Sequence, residues 1–172
     1  VSADEVTWIL DHIKSNWSAG TYSDIPLELI DRDESELLDG DVRQHTTELQ
    51  ADNYVGATLA ERATSPVGTE YDHDIETVVA VRVTGLHHTE YGYVDPDATL
   101  PPATAGDPVP FADFVDEIRD TILTEREHPD AGRARYDYTN LLVQDWSGAS
   151  ADYGDFYRSD FDVVFQGYET LP

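Results

Sequence analysis

The side chains best able to bind a metal or move a proton in this chain are its histidines and carboxylates, because it contains no cysteine. Two clusters stand out, Asp72-His73-Asp74 and His87-His88-Thr89-Glu90. They flank one strand-like segment about ten or more residues long, and at ~3.3 Å per residue they are too far apart to share an ion. Adjacent His87 and His88 point to opposite faces of a strand, so both can bind one metal only if the backbone bends. Asp31-Arg32-Asp33 and Asp160-Phe161-Asp162 have the spacing of acid–base or two-metal carboxylates. With 36 Asp and Glu in 172 residues, however, such pairs recur throughout and describe solvated faces. The chain has no Gly-x-Ser-x-Gly elbow, Gly-rich phosphate loop or dinucleotide fingerprint. The expectation is therefore no catalytic residue, no metal site, no cofactor and no enzyme. A metal-assisted hydrolase using His87, His88 and nearby acids is the competing reading, and a ligand- or partner-binding module of a halophilic cell is a third.

The charge that makes carboxylates uninformative is itself informative. The formal net charge is −26, from 23 Asp and 13 Glu against nine Arg and a single Lys, Lys14. Lysine stems expose apolar methylenes, whereas short Asp side chains hold water and cations; the exchange keeps a surface soluble when salt is molar and screening nearly complete. The composition reads as adaptation to high salt. Such a surface repels phosphate backbones and anionic headgroups, which argues against a nucleic-acid grip or a membrane anchor. The opening Val1-Ser2-Ala3-Asp4-Glu5 has neither a basic nor an apolar leader region, and no run approaches a membrane span, so neither secretion nor insertion is expected.

At 40% hydrophobic and 10% aromatic residues the chain can build a core, and its length suits a single domain over residues 1–172. Ser2 to Trp17 reads as a helix, with Val6, Ile9, Leu10, Ile13 and Trp17 on one stripe, a Ser2–Glu5 capping box at its start and Gly20 beyond its end. Ile25 to Asp31 reads as a short strand. Arg32 to Asp52 is polar and aperiodic, a long loop. Tyr54 to Ala60 and Ile75 to Leu86 alternate as strands and can pair as a hairpin around Thr64-Ser65-Pro66-Val67-Gly68. Residues 87–110 hold five of the nine prolines and read as a second long loop. Phe111 to Glu127 repeats the helical stripe with Phe111, Phe114, Val115, Ile118 and Ile122. Thr139 to Trp146 and Phe156 to Glu169 close the chain as strands. The expected fold is α+β, a mainly antiparallel sheet with two helices on one face, in the order α-β-β-β-α-β-β.

Nine of the 18 aromatics fall between Tyr136 and Tyr168, more than one small core takes in, so part of this hairpin is expected to meet a neighbour. Arg133 and Arg135, with Arg126 and Arg158 near, form the one basic island. The candidate interface residues are Arg133, Arg135, Trp146, Tyr153, Phe156 and Tyr157.

The order of elements resembles the tail terminator (tail completion) proteins of long-tailed viruses. The features that carry the resemblance are the opening helix Val6 to Lys14, the strand Ile25 to Leu29, the long strand Glu76 to Thr84, the helix Phe111 to Arg126, and a closing strand pair ending Phe161-Asp162-Val163-Val164-Phe165. No diagnostic motif accompanies them. The resemblance implies a structural virion protein at the tail–neck junction. It would form a homohexameric ring that caps the tail tube protein and meets the head–neck connector proteins, with DNA passing through without specific binding. With the salt-adapted composition it implies a tailed virus or provirus of haloarchaea.

If the acidity is an adaptation to salt, the melting temperature, followed by circular dichroism, falls as KCl is lowered from molar to millimolar, because repulsion among the acids is then unscreened.

Overall fold

In a computed structural model of the chain, residues 4–16, 27–30, 53–67, 69–86, 93–94, 109–144 and 156–171 are described, and all that follows concerns these. The first helix, α1 (Glu5–Asn16), starts where Asp4 can cap it: the Thr7 amide donates to Asp4 Oδ1 at 2.9 Å. This corrects the expected capping box. Asp4 is the cap, and Glu5, expected to reach back to Ser2, instead turns inward and is buried. Val6, Ile9, Leu10 and Ile13 are buried as their spacing requires. Trp17 and Gly20 lie outside the described residues.

Five strands form one sheet in the order β1-β2-β3-β7-β6: β1 (Leu27–Ile30), β2 (Asn53–Val67), β3 (Thr69–Leu86), β6 (Tyr136–Gln144) and β7 (Phe156–Thr170). All neighbours are antiparallel except β1, which runs parallel to the start of β2. Between β3 and the second helix, α2 (Phe111–Leu123), the two-residue strands β4 (Tyr93–Val94) and β5 (Val109–Pro110) pair with each other, so the stretch expected to be only loop also holds a small hairpin. The expected long loop at 32–52 lies outside the described residues.

The β2–β3 hairpin is longer than its sequence suggests. Thr64, Ser65 and Pro66, expected to turn, stay in the ladder opposite Ile75, Asp74 and His73. Proline is tolerated there because β2 pairs with β1 only over residues 53–56, so Pro66 sits on an edge. α2, in contrast, is shorter than expected. It ends at Leu123, with Thr124 as C-cap, and Glu127 leaves the helix to form a bridge with Asn140 of β6.

One apolar layer joins helices and sheet. Val55, Ala57, Val79, Val81, Val83, Phe161, Val163 and Phe165 project from one face onto Ile9 and Ile13 of α1 and Phe111, Phe114, Ile118 and Ile122 of α2. Each such side chain, fully buried, contributes about 1.5–3 kcal/mol. The fold is thus α+β, with both helices on one face of a mainly antiparallel sheet.

Gly167 fits this layer for a steric reason. Its Cα partner is Tyr138, just before a bulge in β6, and a Cβ on Gly167 would run into the Asp137 carbonyl and come within 2.6 Å of the Tyr138 Cα. Gly167→Ala is expected to cost about 1–3 kcal/mol by overpacking, read as a lowered melting temperature in molar KCl.

Candidate functional site

The most strongly constrained polar group in the fold is Glu5, 2% exposed at the first turn of α1. Its Oε1 accepts hydrogen bonds from the Tyr138 hydroxyl at 2.6 Å and from an Arg62 guanidinium nitrogen at 2.8 Å. Because the Tyr138 proton goes to Glu5, the Tyr138 oxygen is the acceptor for Thr77 Oγ1 at 2.8 Å. Thr77 in turn accepts from Arg62 Nε at 3.2 Å. The four side chains close a ring that ties α1 to β2, β3 and β6. Each bond polarises the next in a medium poor in water.

Its surroundings are built to match. Tyr136 lays its ring beside the Arg62 guanidinium, 5.0 Å from the centroid. Gly132, at φ +82°, passes so close that a Cβ would stand 2.9 Å from Glu5 Oε1 and 2.8 Å from the Tyr136 ring. Only glycine offers both that backbone conformation and that space. Burial and the hydrogen bond to Glu5 push the Tyr138 phenol well above its ordinary range, so it remains a donor across ordinary pH. Burial disfavours the Arg62 charge, but Glu5, Tyr136 and Tyr138 together outweigh it and hold the guanidinium more firmly protonated than usual.

A second cluster pins the other end of α1. His12 Nε2 reaches both the Thr121 carbonyl and Thr124 Oγ1 at 2.9 Å, while Asn16 Nδ2 donates to Nδ1 at 3.1 Å. The neighbouring Glu125 carboxylate lies 3.7 Å from Nδ1, a spacing that superficially suggests a Thr–His–Glu triad. The hydrogen bonds exclude it. A carbonyl can only accept, so Nε2 carries the proton and cannot serve as the base for Thr124, whose hydroxyl itself donates to the Thr121 carbonyl. Trp8 stacks on the imidazole at 4.9 Å and meets Phe165 edge-on, so this cluster is also helix-to-core attachment.

The residues singled out in sequence are scattered. Asp160 is held on the sheet face away from the helices by Arg82 at 2.9 Å and Arg158 at 2.8 Å. Partial burial would raise its pKa, but the two guanidiniums outweigh it and hold the carboxyl below its usual value. The pairing therefore contributes above the ordinary Asp pKa of about 4 and is lost as pH falls through the depressed one. His73 lies opposite Pro66 and Glu169; His87 and His88 lie outside the described residues, among which no group of three His, Asp or Glu side chains is placed to hold a metal. A shallow cleft of about 480 Å³ on the same face is lined by Ser65, Asp74, Glu76 and Tyr168 among others.

Of the expected interface residues, Tyr157 is corrected outright: it is 2% exposed and stacks on Phe111 at 5.5 Å inside the core. Arg135 is half-exposed, but its Nε is 2.9 Å from the buried Glu169 carboxylate of its own chain. Arg133 is exposed. Arg158 lies eleven positions from Glu169 along β7, roughly 35 Å in an extended strand, so the basic island is split. Phe156 begins β7 opposite Leu86, and Trp146 and Tyr153 lie outside the described residues. The Glu5 ring was missed, although its signal was present: Glu5, Ile9 and Ile13 share one helical stripe, and a charged residue on an apolar stripe needs a buried partner.

Tyr138→Phe leaves Thr77 and Glu5 each short of a partner and is expected to cost about 1–3 kcal/mol. Because the ring is buried, that loss is similar at 1 M and 4 M KCl, as measured by thermal melts of variant and parent. A comparison with known protein families finds none whose model matches this chain, and a comparison with curated proteins finds no match.

Proposed function

We propose that this chain is a structural virion protein, a tail terminator that closes into a ring between the tail tube and the head–neck connector of a tailed virus living in high salt. What supports the reading is the architecture: an α+β fold with helix, strand, hairpin, helix and strand pair, differing from the expected order by the small β4–β5 hairpin before the second helix. The Glu5 ring and the His12 cluster serve as internal attachment of α1 to the rest of the fold. The acidic composition fits the same role. A lumen lined by carboxylates lets DNA slide without adhering, and at molar salt such a surface still keeps its water. No helix among the described residues is long and apolar enough to cross a membrane.

A ring needs two unlike surfaces on each protomer, meeting head to tail. Arg133, exposed and without an ion pair among the described residues, remains a candidate for such a contact, whereas Arg135 supports its own chain through Glu169.

Electron microscopy and native mass in molar KCl test the reading. Sixfold rings, each of six 19.2 kDa chains, and a larger loss of assembly for Arg133→Glu than for charge swaps at other exposed positions are expected. A single 19.2 kDa species at every concentration overturns it.

A further inference from the structure

The sheet distributes its charge in an unusual way. The inner strands carry the acids: β3 has four acidic residues and one Arg, β7 three and one. Toward the edges the charge thins: β2, which β1 flanks only up to Gly56, has only Glu61 and Arg62, β6 has only Asp137, and the short β1 has Glu28. Natural sheets more often place charge on their edges, where unpaired N–H and C=O groups invite another strand. In a chain of net charge −26, two charge-poor edges are the places where a second copy meets least repulsion.

Exposed apolar side chains follow the same pattern. Of the four large hydrophobics that stay exposed among the described residues, Leu59 (41%) and Val67 (40%) lie on β2 and Leu142 (38%) on β6; the fourth is Tyr168 of β7. Beyond Gly56, β2 has no partner on its outer side among the described residues. A bulge at Ala60 and the proline at 66 bracket five regular residues, Glu61 to Ser65. On β6, the bridge from Glu127 covers Asn140, and Leu141 to Gln144 have no strand partner on their outer side among the described residues. Among the described residues the two unpaired stretches are thus five and four residues long, on opposite sides of one sheet, with Leu59 and Val67 just beyond the two ends of the first and Leu142 inside the second.

We propose that the outer edge of β2 in one protomer pairs with the Leu141–Gln144 edge of β6 in the next, joining copies of this chain head to tail through a continuous sheet. The proposal rests on the ring reading and names its interface. The occupant is a second copy because the chain itself carries both halves of the seam, matched in length and poor in the acids that would repel a like-charged partner, with Glu61 beside Arg62 on the β2 stretch and no charged residue from Leu141 to Gln144. Backbone hydrogen bonds and apolar contacts persist at molar salt, where the Debye length is about 3 Å and surface ion pairs contribute little.

The full chain in molar KCl, followed by sedimentation across a concentration series, tests it with Leu59→Glu, Leu142→Glu and, as a control off both edges, Ala112→Glu on the exposed side of α2. Near-UV circular dichroism checks that each variant keeps the fold. Val67→Glu, farther out on the hairpin, repeats the β2 arm with less packing at stake. Both edge variants are expected to raise the concentration of half-assembly at least about tenfold, since the new carboxylate would lose water inside the β6 stretch or at the rim of the β2 stretch, while the control leaves it unchanged. An equimolar mixture of Leu59→Glu and Leu142→Glu stops at two-chain species, because only one intact pair of edges can form. Loss of assembly in Leu59→Glu but not Leu142→Glu means that β2 pairs with itself and overturns the proposal. Edge variants that match the control overturn it too, leaving a ring built on other surfaces. A parent chain that stays single at every concentration removes the ring reading and this interface with it.

Discussion

A carboxylate placed under the first turn of a helix, away from water, constrains everything around it. Left alone, Glu5 would be too costly to bury. With Arg62, Thr77 and Tyr138 it becomes the one point at which α1 and three strands of the sheet are joined by directed bonds. The apolar layer beneath is strong but not directional, and valines and phenylalanines would tolerate a helix rotated or shifted along the sheet. The ring admits one placement. It also explains otherwise arbitrary features nearby: glycine at 132, with its positive φ; the Tyr136 ring over Arg62; and the β6 bulge that presses Tyr138 toward Gly167. His12 performs the matching task at the far end of α1, so the helix is held at both ends by buried polar contacts and along its length by packing.

These contacts differ in how far they survive high ionic strength. Where the Debye length is a few ångströms, exposed ion pairs lose most of their value while buried ones keep it. The surface pays for solubility with carboxylates, and the interior keeps charge only where it is enclosed. The Arg82–Asp160–Arg158 group, half-open to solvent, belongs to the weaker class. The Glu5–Arg62 pair belongs to the stronger, with its carboxylate 3% exposed.

The same partition bears on assembly. Within the five-stranded sheet the acids are sparsest on β2 and β6. The aromatics between Tyr136 and Tyr168 looked like surplus when counted along the chain. In the fold, Tyr138, Tyr157, Phe161 and Phe165 are consumed by the core.

Periodicity alone determined much of this molecule. The stripes Val6-Ile9-Leu10-Ile13 and Phe111-Phe114-Val115-Ile118-Ile122 lie in the core as read, and the alternation in β3 and β7 placed the correct residues inward, because a repeat of 3.6 or 2 maps directly onto one face. Composition likewise decided the net charge of −26, since that depends on residue counts and not on geometry. Local turn chemistry was less dependable. Thr64-Ser65-Pro66 is turn-like in isolation, but β3 offers a continuing ladder and the outer side of β2 demands no proline N–H, so the strand runs on. The cap of α1 moved from Ser2 to Asp4 for a related reason: Glu5 can bond locally or be buried with Arg62 and Tyr138, and the choice depends on residues 57 and 133 positions away in the chain. Which polar groups meet, which edges stay open and which aromatics remain for a partner are consequences of pairing between distant strands, and only the tertiary structure decides them.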